Sequence, residues 1–309
     1  MRILVLGSAA GGGFPQWNCN CSVCQGARAG DGRAVPRTQS ALAASADGER
    51  WVLFNASPDL RQQITDNPAL HPRRGARHSP ISAVVLTNAD VDHVAGLLTL
   101  RESQPFALYA SRRVHDALDA NPIFGVLNRQ VVKRRPLALG ATETLHDAEG
   151  LSLGLTVEAF AVPGKIALYL ENPDAGANFG TAEGDTIGLC VRRPETGARF
   201  YYIPGCAALD RPLAEALEGA PLVFFDGTLY EDGEMVAAGL GAKTGHRMGH
   251  LSMSGPDGTI AAFARLGVRR RIFIHINNTN PVLLEDSPQR KAVEEAGWEV
   301  AYDGQEIAL

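Results

Sequence analysis

The chain has 309 residues, of which 45% are hydrophobic and 20% charged, enough for one large domain or two modest ones. Its net charge of −5 gives no footprint for nucleic acid, and no run of about 18 apolar residues predicts a membrane span. The opening residues read as a strand and a glycine turn rather than a secretory leader, so we expect a cytoplasmic location.

The first predicted strand covers residues 2–7 and runs into a glycine-rich turn at residues 7–13. No G-K-[ST] follows this turn, and the G-x-G-x-x-G register of dinucleotide-binding loops is not met. We therefore interpret the glycines as positions where the backbone packs closely against a neighbouring site, in preference to a phosphate-binding loop.

A cluster of three cysteines with the spacing C-x-C-x-x-C follows, formed by Cys19, Cys21 and Cys24. Thiolates at this spacing can hold one tetrahedral zinc ion and leave its fourth position to another residue. The alternative is three reduced, buried cysteines, but the interleaved Asn and Ser residues favour a zinc-stapled loop at about residues 17–25. Because the location is expected to be cytoplasmic and the total of five cysteines is odd, no disulfide framework is expected.

Hydrophobic periodicity and turn-forming pairs predict the remaining elements in chain order. The predicted strands are residues 38–45 and 51–55, 81–86, 107–110, 131–135, 151–162, 188–192 and 199–203, 222–226, 271–275, and a pair within 298–307 that turns at Asp303-Gly304. The predicted helices are residues 59–66, 94–100, 111–120, 213–217, 256–266 and 287–296. No repeat or linker divides the chain, so we predict a single domain over 1–309, with two mostly antiparallel or mixed sheets packed together and helices outside.

Polar side chains gather where predicted strands end. Asn88, Asp90, Asp92 and His93 lie on the turn between a buried strand and a helical pattern, where a helix cap would be the simpler interpretation. Further potential ligands follow other strands, namely Asp59, Cys206, Asp226 and His275. Because the ends of neighbouring strands converge, these side chains predict a site for divalent iron, manganese or zinc.

Two histidines four positions apart, His246 and His250, fall in a glycine-rich stretch. The spacing would put both on one helix face, but the glycines favour a loop. Each is a candidate metal ligand or general acid or base, and the alternative is a pair of exposed loop histidines.

The strand followed by T-N-A-D-V-D-H-V-A-G-L resembles the T-H-x-H-x-D-H-x-x-G-L motif of the metallo-β-lactamase superfamily. The segments Y-I-P-G-C at 202–206 and F-D-G-T at 225–228, together with His275, are similar to later motifs of that superfamily. The cysteine cluster is similar to that of its zinc-stapled phosphodiesterase branch. The resemblance implies an α/β fold, a metallo-β-lactamase-like αββα sandwich of two mixed β-sheets flanked by helices.

The chain departs from the superfamily pattern at several metal ligands. Asn88 and Asp90 replace the first two histidines, Asn55 stands at the early Asp position, and Cys206 at the bridging Asp position. No histidine occurs near residues 162–165, where a further ligand would fall. A two-zinc hydrolase needs about five to seven ligands, so one metal with open positions fits better.

Three longer motifs, N-A-D-V-D-H-V-A-G-L-L-x-L-R-E, G-F-P-Q-W-N-C-N-C and I-H-I-N-N-T-N-P, resemble the pyrroloquinoline quinone (PQQ) biosynthesis protein B family. The resemblance implies an iron- and dioxygen-dependent hydroxylase that acts on the tyrosine ring of a Glu-Tyr dipeptide released from a precursor peptide. Two alternatives stay open, a non-catalytic carrier of PQQ and a phosphodiesterase-like hydrolase. Other PQQ-biosynthesis proteins and a second copy of the chain are open as partners.

Within this interpretation, Asp92, His93 and His275 would supply the Fe²⁺ ligands, with dioxygen as co-substrate. The acid–base candidates are Asp90, Asp226 and His250, and Asn88 would orient a ligand. The fourth ligand of the structural Zn²⁺ is left open, with Asn278 and Cys206 as candidates.

Overall fold

The computed structural model describes residues 1–309 and contains two seven-stranded sheets. The strands are β1 (Arg2–Gly7), β2 (Ala41–Ser45), β3 (Trp51–Phe54), β4 (Ile81–Val85), β5 (Phe106–Ser111), β6 (Val132–Leu137), β7 (Thr142–His146), β8 (Ser152–Ala161), β9 (Ile187–Arg193), β10 (Ala198–Ile203), β11 (Val223–Asp226), β12 (Arg271–Ile274), β13 (Glu299–Val300) and β14 (Glu306–Ala308). The helices are α1 (Ser22–Arg28), α2 (Leu60–Asp66), α3 (Val91–Val94), α4 (Arg112–Ala120), α5 (Arg211–Leu217), α6 (Glu234–Ala237), α7 (Gly245–Met248), α8 (Thr259–Phe263) and α9 (Pro288–Glu295). Short 3-10 helices cover Pro68–Leu70, Ala95–Leu100, Pro122–Val126, Leu168–Leu170, Pro173–Ala175 and Pro281–Leu283.

Both sheets are mixed, and each has a parallel half. The first sheet has the order β14-β1-β2-β3-β4-β5-β6 and is parallel from β3 to β6. The second has the order β13-β12-β11-β10-β9-β8-β7 and is parallel from β10 to β13. Parallel neighbours end at the same edge of a sheet. The loops after β4, β11 and β12 can therefore contribute side chains to one common site.

The strands of the parallel halves are buried on both faces, which explains their nearly continuous apolar sequences. In β12, Ile272 and Ile274 lie in the core between the two sheets, whereas Phe273 packs on the helix side against Trp298 with ring centroids 4.0 Å apart. In β3, Phe54 faces the other sheet and Trp51 faces the outer helices. Alternation of this kind builds an αββα sandwich with helices on both outer faces.

The outer helices begin at side-chain caps. Ser111, Asp210 and Ser287 accept hydrogen bonds from the amides of Val114, Leu213 and Arg290, respectively, at the start of α4, α5 and α9. The longest helix, α4, has nine residues, and none of the helices has the length and apolar character to cross a membrane.

The predicted order of strands and helices agrees with most of the structure, but several elements differ, among them the unpredicted helices α1 and α6. The predicted strand pair within 298–307 is wrong, because β13 joins the second sheet beside β12 and β14 joins the first beside β1. The helix predicted over 256–266 covers only Thr259–Phe263, and the loop predicted around His246 contains the single turn α7. Strand β7 was not predicted, because its first three residues are exposed and polar and give no apolar signal.

Candidate metal centre

Loops from both sheets bring three potential ligands together. Asp92 and His93 lie in α3, directly after β4 of the first sheet, and His275 follows β12 of the second. One ligand atom from each of these three residues lies within 4.8 Å of the others. His275 has a left-handed backbone with φ of 61°, an unfavourable conformation for a non-glycine residue and one often found at functional sites.

The His93 imidazole is prepared for metal binding by its surroundings. Its Nδ1 lies 2.8 Å from Oδ1 of Asn88, which can only accept, so Nδ1 carries the proton and Nε2 has the free lone pair. That Nε2 atom is buried and has no hydrogen-bond partner. Burial lowers the pKa of His93 to about 4, which keeps the ring neutral. A buried, neutral, unpartnered imidazole nitrogen is the state that a metal ligand requires.

Asp92 and His275 contact one another, with His275 Nε2 3.0 Å from Asp92 Oδ2. Burial alone would raise the pKa of Asp92, but the neighbouring His93 and the hydrogen bond with His275 lower it below its ordinary value. The other ring nitrogen of His275, Nδ1, lies 2.8 Å from Oγ1 of Thr228. Thr228 therefore orients the ring from the side opposite to Asp92.

A second group, formed by Asp226, His250 and His275, shares His275 with the first. Nδ1 of His250 donates to Oδ2 of Asp226 at 2.7 Å, and the two histidine rings are stacked with centroids 5.3 Å apart. Asp226 is fully buried, and its two oxygens also accept from the amides of Cys206 and Thr228 and from the Thr228 hydroxyl. With every lone-pair direction occupied, Asp226 is better suited to orient His250 than to bind a metal.

The three ligands open onto a cavity of about 450 Å³. Asp90 lines it and accepts a hydrogen bond from the amide of Leu168 at 3.3 Å. Burial and the neighbouring Asp92 raise the pKa of Asp90. His250, Lys165 and Lys243 are also part of the wall. The volume is within the range of about 300–1,000 Å³ that is usual for small-molecule sites.

One carboxylate and two imidazoles beside an open cavity suit ferrous iron or another divalent ion that keeps free coordination positions. The buried, unpartnered Nε2 of His93 supports this fit. Asn88, Asp90, Asp92, His93, Asp226 and His275, which are expected near one another from their positions at strand ends, lie around one centre together with the loop candidate His250.

The three cysteines of the N-terminal loop also meet, with their Sγ atoms within 4.8 Å of one another. Asn278 contacts this group, since its carbonyl oxygen lies 3.9 Å from Cys21 Sγ and its Nδ2 donates to Cys24 Sγ at 3.3 Å. Cys206 does not join the group. Its thiol donates to the carbonyl of Ala208 at 3.1 Å, and its amide donates to Asp226. Cys206 therefore lies beside Asp226 and away from the cysteine cluster, and its prediction as the fourth zinc ligand is wrong.

Two further candidates lie outside the centre. Asp59 accepts from the amide and side chain of Gln39, whose own side chain holds the amide of Gly12 in the glycine-rich turn. His246 is exposed on α7 and does not line the cavity. Gly11 from that turn does reach the centre, because a Cβ atom there would lie 3.4 Å from Asp92.

Sequence reasoning missed the roles of Thr228, Lys165 and Lys243 in this cavity. Thr228 was visible only as the last residue of F-D-G-T, and its hydroxyl contacts Asp226, His250 and His275. The two lysines carry no motif, because their place in the wall depends on how distant loops fold together.

Comparison with known proteins agrees with this architecture. The family model described as a beta-lactamase superfamily domain matches residues 50–276. The crystal structure of Zn(2+)-bound PqqB from Methylobacterium extorquens has a TM-score of 0.93 and 53% identity, with all of both chains covered. A diphosphatase from the PhnP family has a TM-score of 0.67 at 20% identity, with 99% of this chain and 97% of that chain covered, which shows a shared fold alone.

Curated relatives match along the whole chain. Coenzyme PQQ synthesis protein B of Methylorubrum extorquens is 54% identical over 309 residues, which is all of both chains. The protein of the same name from Gluconacetobacter diazotrophicus is 56% identical over 307 residues, covering 99% of this chain and 98% of the relative. The chain therefore belongs to the coenzyme PQQ synthesis protein B family, within the beta-lactamase superfamily.

Proposed function

We propose that this chain acts in PQQ biosynthesis as an iron- and dioxygen-dependent hydroxylase of the tyrosine ring of a Glu-Tyr dipeptide. The proposal is carried by one observation: Asp92, His93 and His275 place one carboxylate and two imidazoles together beside an open cavity. A two-histidine, one-carboxylate face with free positions is typical of non-heme iron oxygenases. Membership of the coenzyme PQQ synthesis protein B family supports the assignment to this pathway.

When bound at this face, ferrous iron would supply the activation of dioxygen. The chain's own residues hold the ligands in position. Asn88 sets the tautomer of His93, Thr228 contacts the second nitrogen of His275, and the buried environment keeps His93 neutral. The open cavity beside them has room for a substrate the size of a dipeptide.

His250 is the group best placed to accept the phenol proton. Its Nδ1 is committed to Asp226, so its Nε2 has the lone pair, and the ring lines the cavity. The buried Asp226 carboxylate holds the ring and stabilises the imidazolium that forms when His250 takes a proton. Asp226 thus acts through His250, and Asp90 is the second acid–base candidate in the cavity wall.

We also propose a structural Zn²⁺ at Cys19, Cys21 and Cys24. Three thiol sulfurs within bonding reach of one ion and the irregular loop around them support this assignment. Asn278 is the candidate for the fourth ligand, since it contacts both Cys21 and Cys24.

A two-metal hydrolase has weaker support. A second ion at Asp226, His250 and His275 would have to share His275 and displace hydrogen bonds that occupy both oxygens of Asp226. Two-metal sites hold their ions about 3.5–4 Å apart with a full ligand set for each, and this cavity offers one such set.

The proposed function is tested with protein loaded anaerobically with Fe²⁺ and then mixed with the Glu-Tyr dipeptide and dissolved oxygen. We expect oxygen consumption and a product heavier by one or more oxygen atoms on the tyrosine ring, both abolished by His93→Ala. Product formation in the absence of oxygen, or no product with the iron-loaded protein and an added reductant, would contradict the proposal.

The carrier alternative is separated from the enzyme by the same variant in a PQQ-producing cell. An enzyme predicts that His93→Ala abolishes PQQ production, because the face loses a ligand. A carrier predicts unchanged production and retained quinone binding, since neither depends on metal chemistry.

A further inference from the structure

Two lysines from separate loops line the cavity that holds the proposed metal centre. Lys165 lies in the segment between β8 and β9, and Lys243 lies just before α7. The wall also contains the amide side chains of Gln16 and Asn277. None of these four side chains has a role in holding the Asp92, His93 and His275 ligands.

Lys165 is held firmly in place. Its carbonyl accepts from Oγ1 of Thr186 at 3.0 Å, and its Nζ lies 3.2 Å from Oε1 of Glu171. Its aliphatic stem passes over Gly249, where a Cβ atom would come within 2.9 Å of the Lys165 Cγ. Gly249 also has φ of +89°, so both its backbone and its missing side chain make room for this lysine next to His250.

The charged side chains around the cavity are balanced in number before a metal ion is added. Glu171 also pairs in bidentate fashion with Arg247, at 3.1 and 2.9 Å, so one carboxylate serves two cations. Lys243 forms no ion pair and no side-chain hydrogen bond in the chain. The three cations Lys165, Lys243 and Arg247 match the three carboxylates Glu171, Asp90 and Asp92. A bound divalent ion would therefore make the cavity positive, even with the buried Asp226 carboxylate counted.

An uncompensated positive cavity of this kind attracts anions, and a planar carboxylate can take charge-assisted hydrogen bonds from ammonium groups. We propose that Lys165 and Lys243 form a carboxylate-binding subsite that holds the acidic groups of an aromatic substrate while its ring lies at the metal face. The identity of that substrate rests on the proposed function. The subsite itself does not depend on the chemistry performed on the substrate.

The test measures binding instead of turnover, with the full chain loaded with metal and kept anaerobic. Calorimetric titrations compare the Glu-Tyr dipeptide with Gln-Tyr, Glu-Tyr amide and Gln-Tyr amide. The first analogue removes the side-chain carboxylate, the second the terminal carboxylate and the third both, so the arms identify which carboxylate is bound. The variants are Lys165→Met and Lys243→Met, and Lys291→Met on exposed α9 is the matched control.

We expect each cavity variant to weaken Glu-Tyr binding by roughly tenfold or more, the usual effect of losing a charge-assisted hydrogen bond. The doubly neutral analogue should bind wild type and variants alike, and Lys291→Met should match wild type. Equal affinity of wild type for charged and neutral dipeptides, or unchanged Glu-Tyr affinity in Lys243→Met, would overturn the subsite. Lys243 has no protein partner to lose, so its variant remains informative even if Lys165→Met misfolds.

The two proposals fail separately in this design. Lysine-dependent binding of the charged dipeptide without any oxygen consumption would contradict the hydroxylase and leave the subsite intact. Oxygen-dependent turnover with a KM that neither lysine variant changes would overturn the subsite and leave the hydroxylase intact.

Discussion

A single amide oxygen decides which nitrogen of His93 can bind a metal. Oδ1 of Asn88 accepts from Nδ1 of His93 and also from the amide of Asp90, so the Asn88 side chain orders both the ring and the turn that carries it. Partners that orient metal-binding histidines in this way typically change metal affinity about 10- to 100-fold when they are removed.

We therefore expect Asn88→Ala to weaken iron binding at the Asp92, His93 and His275 face by roughly 10- to 100-fold. The fold should persist, because Asn88 is not one of the apolar residues that form the buried cores. Competition between the protein and a chelator measures the affinity, and Asn178→Ala on an exposed loop is the control. Unchanged iron affinity in Asn88→Ala would remove the orienting role from Asn88.

The candidate ligands of this centre are easier to pick out from the sequence than the side chains around them. Asp92, His93 and His275 can be identified as candidates because each follows a strongly apolar strand. Such strands are predicted from their apolar sequences. The left-handed backbone of Asn55 and His275 is not readable, since neither residue is glycine and the strain is stabilised by the fold around them. The role of Thr228 is not readable either, because it depends on contacts with Asp226, His250 and His275. The fold brings the two histidines to Thr228 from later parts of the chain.

At the level of elements, the Glu171 carboxylate is one of the groups that hold the long segment between β8 and β9 over the cavity. Glu171 pairs with Lys165 and Arg247, and the Arg247 guanidinium also lies 3.7 Å from the ring centroid of Phe179. These contacts tie the segment to α7, and the Tyr169 hydroxyl ties it to the carbonyl of Ala89.

The ion pair makes stability depend on pH in a defined direction. Arg247 and then Lys165 lower the pKa of Glu171 from 4.5 to about 2. A lowered pKa in the folded state contributes stability that is fully present above about pH 4.5 and is lost as pH falls toward 2. We expect Glu171→Gln to be less stable than wild type at pH 6, with the difference shrinking below pH 4.5.

Unfolding in urea at several pH values from 3 to 6 checks this expectation. Glu183→Gln, on the same segment and without an ion pair, is the matched control and should follow wild type. A difference between wild type and Glu171→Gln that stays constant through pH 3 would show that the Glu171 ion pairs do not stabilise the fold.

The N-terminal loop depends on its cysteines for its shape, because apart from α1 it has little regular structure. We expect Cys24→Ala to lose the zinc and to lower the melting temperature, since the metal closes a loop that has little core of its own. Cys190→Ala, a buried cysteine outside the cluster, should keep the zinc, and so should Cys206→Ala. Zinc analysis of the purified variants measures this, and full zinc content in Cys24→Ala would contradict the assignment.

Elements that pair locally are predictable, and those that pair across the molecule are less so. The hairpins β2–β3 and β9–β10 follow from the turns between them. The last two strands were mispaired, because the Asp303-Gly304 turn looks like a hairpin but instead leads the chain from one sheet to the other. Asp303 is held there by Thr38 and Ser8, which are far away in the sequence.

For the whole molecule, the arrangement of the two sheets is what brings the candidate metal ligands to one face. Asp92 and His93 come from the first sheet and Asp226 and His275 from the second, so the centre exists only when both sheets pack. The inter-sheet core directly beneath contains Phe54, Phe200 and Tyr202, with Phe54 in edge-to-face contact with the other two rings. The αββα architecture could be predicted from sequence because strand order and buried patterns agreed with a known motif, whereas the cavity wall could not.

Metal stoichiometry tests the central claim, a single iron face, most directly. Protein reconstituted anaerobically with Fe²⁺ and freed of loosely bound metal should contain one iron and one zinc per chain. His93→Ala should lose the iron and keep the zinc, because the cysteine cluster does not involve His93. Two tightly bound irons per chain, or full iron content in His93→Ala, would contradict a single iron centre at Asp92, His93 and His275.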